Sequence, residues 1–269
     1  MDRVAISFGS LSITWYSIFI LIGVFLGGYI VNKEAKRNEM PTYFISNLVF
    51  WCVVFGILGA RIYYVLFNLD YYLSSPLEIF KIWNGGLAIH GGLIAGCITL
   101  VIYSKKYKAN ILKMLDIVTP GLILAQGIGR WGNFFNQEAY GSSVTRGFLE
   151  KLHIPEFIID GMYINEEYYH PTFLYESVFC LIGFFVLLGI RGQKNSKVGN
   201  TFGTYLIWYG AVRFFIESLR TDSLMLGNLK VAQLVSILMI IIGIITLVIT
   251  KIKGKDYEDI KVSENEIKI

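Results

Sequence analysis

The chain has 269 residues, of which 54% are hydrophobic and 16% charged, with a formal net charge of +4 and a mean hydropathy of +0.55. A soluble domain carries about 25% charged residues, so this composition excludes an ordinary soluble fold and points to a polytopic membrane protein. No basic stripe with interleaved aromatics lies outside the turns between apolar runs, which argues against a nucleic-acid partner.

A helix needs about 20 mostly apolar residues to cross a bilayer, and backbone groups in lipid must be bonded within the segment. The apolar runs predict an all-α, polytopic membrane protein with about seven transmembrane helices. They fall near residues 13–31, 47–67, 87–103, 112–131, 171–190, 201–218 and 231–250. The first run is too long for a signal-peptide core and lacks a small-x-small cleavage site, so it reads as a retained span. Tyr16 follows Trp15 in it and reads as an interface aromatic. Arg61 lies mid-way through the second run, after Gly56 and Gly59, and is open between a buried structural charge and a cavity residue.

The third run opens in NGGLAIHGGL, residues 84–93, where glycines around His90 permit close approach of a backbone or ligand. The fourth opens near Asp116, read as an acid at that helix's own N-terminus, and closes in GIGRWGNFFNQEAYG, residues 127–141. Residues 132–170 form a small extracytoplasmic cap, punctuated by Gly141, Gly147, Pro155 and Gly161 and terminated at His170 before Pro171. Trp83, Trp131, Tyr168 and Tyr169 are placed for an aromatic belt. Residues 1–254 are read as one transmembrane catalytic domain, followed by a charged cytoplasmic tail at 255–269. Cys52, Cys97 and Cys180 each sit in an apolar run with no CxxC or CxxH partner, and read as small buried hydrophobes.

Basic residues alternate along the chain. Lys33, Lys36 and Arg37 follow the first run, Lys105, Lys106 and Lys108 the third, Arg191, Lys194 and Lys197 the fifth, and Lys251, Lys253 and Lys255 the seventh. Acids gather in the opposite turns. The positive-inside rule then places the N-terminus outside and the C-terminus in the cytoplasm.

Charged groups inside spans are expensive and face a bundle interior, a cavity or each other. Here His90 opens one run, Arg130, Asn133, Asn136 and Glu138 close another, and Tyr209, Arg213 and Glu217 recur every fourth residue in a third. That spacing stacks the last three on one helix face. With the orientation above, all three stretches lie toward the outer leaflet. Arginines at that depth suit a phosphate, because a guanidinium donates bidentately and keeps its charge. A histidine or carboxylate nearby suits a general base. No HExxH, GxSxG, Walker or aspartate-rich metal motif is present, so the residues point to a metal-free, cofactor-free reaction on a phospholipid. An anionic-solute transporter and a lipid-binding scaffold stay open at this point, although no internal repeat supports the transporter.

GIGRWGNFFNQEAYG, together with IHGGL at 89–93, HPTFLYE at 170–176 and WYGAVRFFIESLR at 208–220, closely resembles the phosphatidylglycerol–prolipoprotein diacylglyceryl transferases of bacteria. GARIYYVLFN at 59–68 is similar to that family too. The resemblance implies an enzyme of the bacterial cell membrane that moves the diacylglyceryl group of phosphatidylglycerol onto the lipobox cysteine of a preprolipoprotein. A thioether forms and glycerol 1-phosphate leaves. The resemblance gives Arg130 and Arg213 the phosphate and makes His90 the essential histidine. It draws Asn133, Glu138, Tyr209, Glu217 and Tyr16 into the site. The group that takes the thiol proton is left open, with His90 ahead of a carboxylate such as Glu217. Glu138 is open between a catalytic role and holding an arginine.

Overall fold

A computed structural model describes residues 2–8, 11–193 and 196–257. Lys194 and residues 258–269, which make up most of the expected charged tail, lie outside the described residues. A hairpin of β1 (Val4–Phe8) and β2 (Leu11–Thr14) leads into α1 (Trp15–Arg37). Next come α2 (Thr42–Phe67), the short α3 (Leu69–Ser74), two 3-10 turns at Pro76–Phe80 and Ile82–Asn84, α4 (Ile89–Lys106) and α5 (Ile111–Asn136). The segment after α5 holds β3 (Ser143–Val144), α6 (Arg146–Lys151), α7 (Glu156–Gly161), β4 (Tyr163–Ile164) and β5 (Glu167–Tyr169). The chain then forms α8 (Thr172–Gly192), α9 (Asn200–Leu219), a hairpin of β6 (Met225–Leu226) and β7 (Leu229–Lys230), and α10 (Val231–Lys253).

The protein is mostly helical, as its apolar runs predict, and five helices among the described residues are long and apolar enough to cross a membrane. These are α1, α2, α5, α8 and α10. The predicted third and sixth spans are the helices α4 and α9, which fall outside that apolar group and carry the polar residues His90, Arg213 and Glu217. One feature corrects the all-α expectation and another a span boundary. Among the described residues there are three small antiparallel sheets, ordered β1-β2, β3-β5-β4 and β6-β7. Most of their strands are two or three residues long, too short for a period-two pattern to register. Helix α1 also runs on to Arg37, past the predicted end at residue 31, because Lys33, Glu34, Ala35, Lys36 and Arg37 are good helix formers although they are no longer apolar.

The described chain divides into two compact units, one within residues 32–114 and one within residues 2–31 and 115–257. In the first, α2 and α4 cross backbone to backbone. A Cβ on Gly59 would stand 2.7 Å from the Gly91 carbonyl, so the glycines beside His90 serve helix packing. Phe44, Tyr103 and Tyr107 form a buried aromatic group, and Tyr103 Oη donates to the Phe44 carbonyl at 3.0 Å. Arg61 is buried here and its role is structural. Its guanidinium donates to the carbonyls of Ile79 (Nε, 2.9 Å), Gly85 and Gly86 (Nη1, 2.8 and 2.9 Å) and Glu78 (Nη2, 2.5 Å), and lies over the Tyr72 ring. One cation thereby gathers the carbonyls of the irregular turns that join α3 to α4.

In the second unit, Ile123, Cys180, Phe184, Leu187, Tyr205 and Leu206 form the core between α5, α8 and α9. Only Cys180 of the three cysteines is buried; Cys52 is partly buried and Cys97 exposed on its helix. Asp116 departs from its sequence reading. It does not sit at the start of its own helix but accepts from the backbone N–H of Gly199 and Phe202, both at 2.6 Å, and from the Tyr257 hydroxyl. It is therefore the N-terminal acid of α9, an arrangement that meets orphan donors and the positive end of the helix dipole.

The cap packs on its own core of Phe134, Leu149, Ile158, Ile159 and Phe173, with Trp131, Tyr168 and Tyr169 partly buried against it. Trp131 donates its indole N–H to Ser177 Oγ at 3.2 Å, so it and the two tyrosines are cap residues more than a lipid-facing belt. Arg146 on α6 ties Glu150, Glu156 and the Tyr168 hydroxyl together. Gly141 N donates to His170 O and closes the two ends of the cap on each other, and Ser142 N donates to Leu219 O at the end of α9, each at 3.0 Å. His170 does close the cap. Its Nδ1 lies 3.2 Å from Tyr175 Oη, and burial lowers its pKa below the usual imidazole value.

Arg61→Ala removes four charge-assisted hydrogen bonds and is expected to destabilise the protein by about 3 kcal/mol or more. Arg61→Lys recovers only part of this, because an ammonium has three N–H groups for four carbonyls. Thermal unfolding in detergent checks both, and an unchanged Tm for Arg61→Ala would contradict the structural role.

Candidate active site

The site is built at one end of α5, α8 and α9, where each helix presents polar side chains. Arg130 lies near the end of α5, one turn before Asn133. Glu176 lies in the second turn of α8. Tyr209, Arg213 and Glu217 line one face of α9, as their spacing predicts. Glu176 joins the three helices. Its Oε1 lies 2.8 Å from Arg130 Nη2 and accepts from Tyr209 Oη at 3.0 Å, while its Oε2 accepts from Arg213 Nη1 at 3.2 Å.

The second carboxylate is Glu217. Its Oε2 forms an ion pair with Arg213 Nη2 at 2.6 Å, without hydrogen-bond alignment, and lies 3.9 Å from Arg220 Nε. Arg220 in turn holds Asp222 through two hydrogen bonds of 2.9 and 2.8 Å. Burial pushes the Asp222 carboxyl up and the Arg220 guanidinium pulls it down; the pairing prevails, and its pKa lies below the ordinary aspartate value.

Burial separates the roles of these groups. The side chains of Glu176 and Glu217 are 2% and 3% accessible, whereas Arg130 and Arg213 keep 19% and 16%. The carboxylates are sealed and the arginines keep an open edge. A small cleft lies beside Arg130, lined by Arg130, Asn133, Thr172, Glu176 and Arg220 among others. Such a set of planar cationic donors and an amide suits an anion with several oxygens.

Asn133 and Glu138 form a line of support behind Arg130. Glu138 Oε1 accepts from Asn133 Nδ2 at 2.9 Å and from Asn136 Nδ2 at 3.3 Å, and Asn133 Oδ1 faces Arg130 Nη1 at 3.4 Å. Glu138 is thus linked to Arg130 through Asn133. Tyr16 of α1 lies against Gly132, where an added Cβ would stand 2.5 Å from Tyr16 Cδ2. Glycine is required there to let the tyrosine approach.

The chain matches the family described as prolipoprotein diacylglyceryl transferase over residues 3–249. The chain belongs to that family. It is 52% identical over 254 residues to the phosphatidylglycerol–prolipoprotein diacylglyceryl transferase of Staphylococcus aureus (strain MSSA476), covering 94% of this chain and 90% of the relative. It is 50% identical over 264 residues to the enzyme of the same name from Staphylococcus carnosus (strain TM300), covering 97% and 95%.

Of the residues singled out from the sequence, Arg130, Asn133, Glu138, Tyr209, Arg213, Glu217 and Tyr16 all lie in the unit that contains α5, α8 and α9. His90 lies in the other unit, exposed in the first turn of α4, with its ring 6.2 Å from that of Tyr63. Sequence reasoning missed Glu176, although it quoted the HPTFLYE segment that contains it. The available signal was an acid one turn inside an otherwise apolar run, which calls for a cationic partner on another helix. It also missed Arg220, three residues after Glu217.

Glu176→Gln keeps the shape but removes the charge shared by two arginines, and Glu176→Ala leaves both guanidinia without it. Loss of one partner from a buried ion pair costs about 3–5 kcal/mol. We expect Glu176→Ala to lower the Tm markedly and Glu176→Gln to lower activity more than Tm. Equal Tm and turnover in both variants and the parent would show that the carboxylate holds nothing in place.

Proposed function

We propose that this chain transfers the diacylglyceryl group of phosphatidylglycerol to the lipobox cysteine thiol of a prolipoprotein in the bacterial cell membrane. The observation that carries the reading is the pair of arginines, on α5 and α9, held by one sealed glutamate, both partly accessible and with Arg130 lining the adjacent cleft. Family membership and the names of the relatives support the same reaction.

In the proposed reaction the cysteine sulfur attacks the glycerol carbon that carries the phosphate. The C–S bond forms as the C–O bond breaks, and glycerol 1-phosphate leaves with the bonding pair. A free thiol has a pKa near 8.5, so a base must take its proton, which is passed on to water or to the leaving group. Arg130 and Arg213 offer donors where charge collects on the leaving phosphate. Because Glu176 and Glu217 neutralise them in the resting state, the phosphate oxygens compete for the open guanidinium edges while the carboxylates stay in place. Asn133 and Glu138 orient Arg130, Tyr209 supports Glu176, and Tyr16 closes one side of α5. His90 is assigned as first choice for the base on its chemistry and its motif, with Glu217 second.

The same proposal takes residues 1–254 as one catalytic domain of seven spans, with the N-terminus outside. Segment 132–170 is the extracytoplasmic cap and the tail is cytoplasmic. The alternating basic turns support this orientation.

Purified protein incubated with phosphatidylglycerol and a lipobox peptide should yield a peptide heavier by one diacylglyceryl group, and a Cys→Ser peptide should yield none. No adduct from an intact preparation would sink the proposal. Arg130→Ala and Arg213→Ala are each expected to lower kcat by about 100-fold or more while the protein still inserts. The corresponding Arg→Lys changes should lose much of the rate too, because a fork becomes a point charge. For His90→Gln the expected result is a lost rate together with a lost acidic limb in the pH–rate profile; an unaltered profile would transfer the base role to a carboxylate.

A further inference from the structure

Lys230, the last residue of β7 and the one before α10, makes contacts that the reaction described above does not use. Its Nζ donates to the carbonyls of Glu217 at 2.7 Å, Ser218 at 3.4 Å and Arg220 at 2.8 Å. These are the last carbonyls of α9 and its cap, groups that a helix leaves without an internal partner. The remaining carbonyl of that turn, Leu219 O, accepts from Ser142 N of the cap segment. The turn is therefore gripped from two sides, by the cap and by the end of the hairpin. A lysine at this end also meets the negative pole of the helix dipole.

The turn it grips carries site residues. Glu217 holds Arg213, and Arg220 borders both Glu217 and the cleft that Arg130 lines. An ammonium has three N–H groups and all three are directed at carbonyls, so none is left over for a phosphate. We propose that Lys230 is a positioning residue for the transfer reaction: seated on the carbonyls that end α9, it fixes the turn that sets Glu217 and Arg220 against the arginine pair. The proposal rests on the transferase reading above and adds a residue that no motif singles out.

The test uses the full chain in phosphatidylglycerol-containing nanodiscs with a lipobox peptide, and reads kcat, KM for the lipid, and Tm. Lys230→Met keeps the stem and removes the donors. It should lower kcat by about 10-fold to 100-fold, the scale on which a small misplacement of a reacting group acts, with KM little changed. Lys230→Arg, which can still donate to the same carbonyls, should restore most of the rate. An unchanged kcat in Lys230→Met would overturn the proposal. So would a raised KM at constant kcat, which would make Lys230 a headgroup contact. A loss of Tm with normal turnover per folded molecule, or failure of both Lys230→Met and Lys230→Gln to accumulate, would assign it to the fold and not to the site. An inactive parent protein is a separate outcome, which overturns the transferase reading and this proposal with it.

Discussion

The buried carboxylate of Glu176 is the contact on which the rest of the site depends. Two arginines from different helices converge on its two oxygens, and a tyrosine hydroxyl joins one of them. Taking such charges out of water costs several kcal/mol per ion, and the attraction repays this only where geometry and hydrogen bonding are good. The requirement locks α5, α8 and α9 together at one end. It also turns two flexible side chains into a rigid, forked pair, which in the proposed reaction lowers the reorganisation needed when a phosphate arrives.

Helix α9 carries half of that site and is pinned at both ends by charges of the appropriate sign. Asp116 meets the N–H groups at its start, and Lys230 meets the carbonyls at its finish. Each satisfies orphan backbone groups and complements the helix dipole. Between them, Tyr209, Arg213 and Glu217 occupy one face. An apolar bundle thus holds a polar helix in register by paying attention to its ends, while small cap elements close over the last turn through Ser142 and Leu219.

The sequence carried the helices well, because an apolar run of about 20 residues is a strong local signal. It carried the α9 face as well, since Tyr209, Arg213 and Glu217 recur at helical spacing, and the motif at 127–141 led to Arg130, Asn133 and Glu138. What it did not carry were contacts made across long separations. Glu176 has no periodic partner on α8; its meaning comes from residues 46 positions before it (Arg130) and 37 after it (Arg213). Asp116 reads as a cap for its own helix until Gly199 and Phe202 are seen to donate to it. Arg61 finds its four carbonyls in the irregular stretch between α3 and α4, two in a 3-10 turn and two on the glycines Gly85 and Gly86. His90 reached the candidate set through its motif and resemblance, and its exposure in α4 adds no contact that assigns it a role.

If one carboxylate makes the arginines a single device, their contributions should not be independent. Residues that act as a unit show strongly non-additive losses, whereas separate sites lose activity multiplicatively. A double-mutant cycle on kcat/KM tests this directly, with Arg130→Ala, Arg213→Ala and the double variant assayed on phosphatidylglycerol and a lipobox peptide. The account predicts that the double variant is barely slower than either single one. Losses that multiply across the two sites would contradict it and leave the arginines as separate contacts that only share a neighbour.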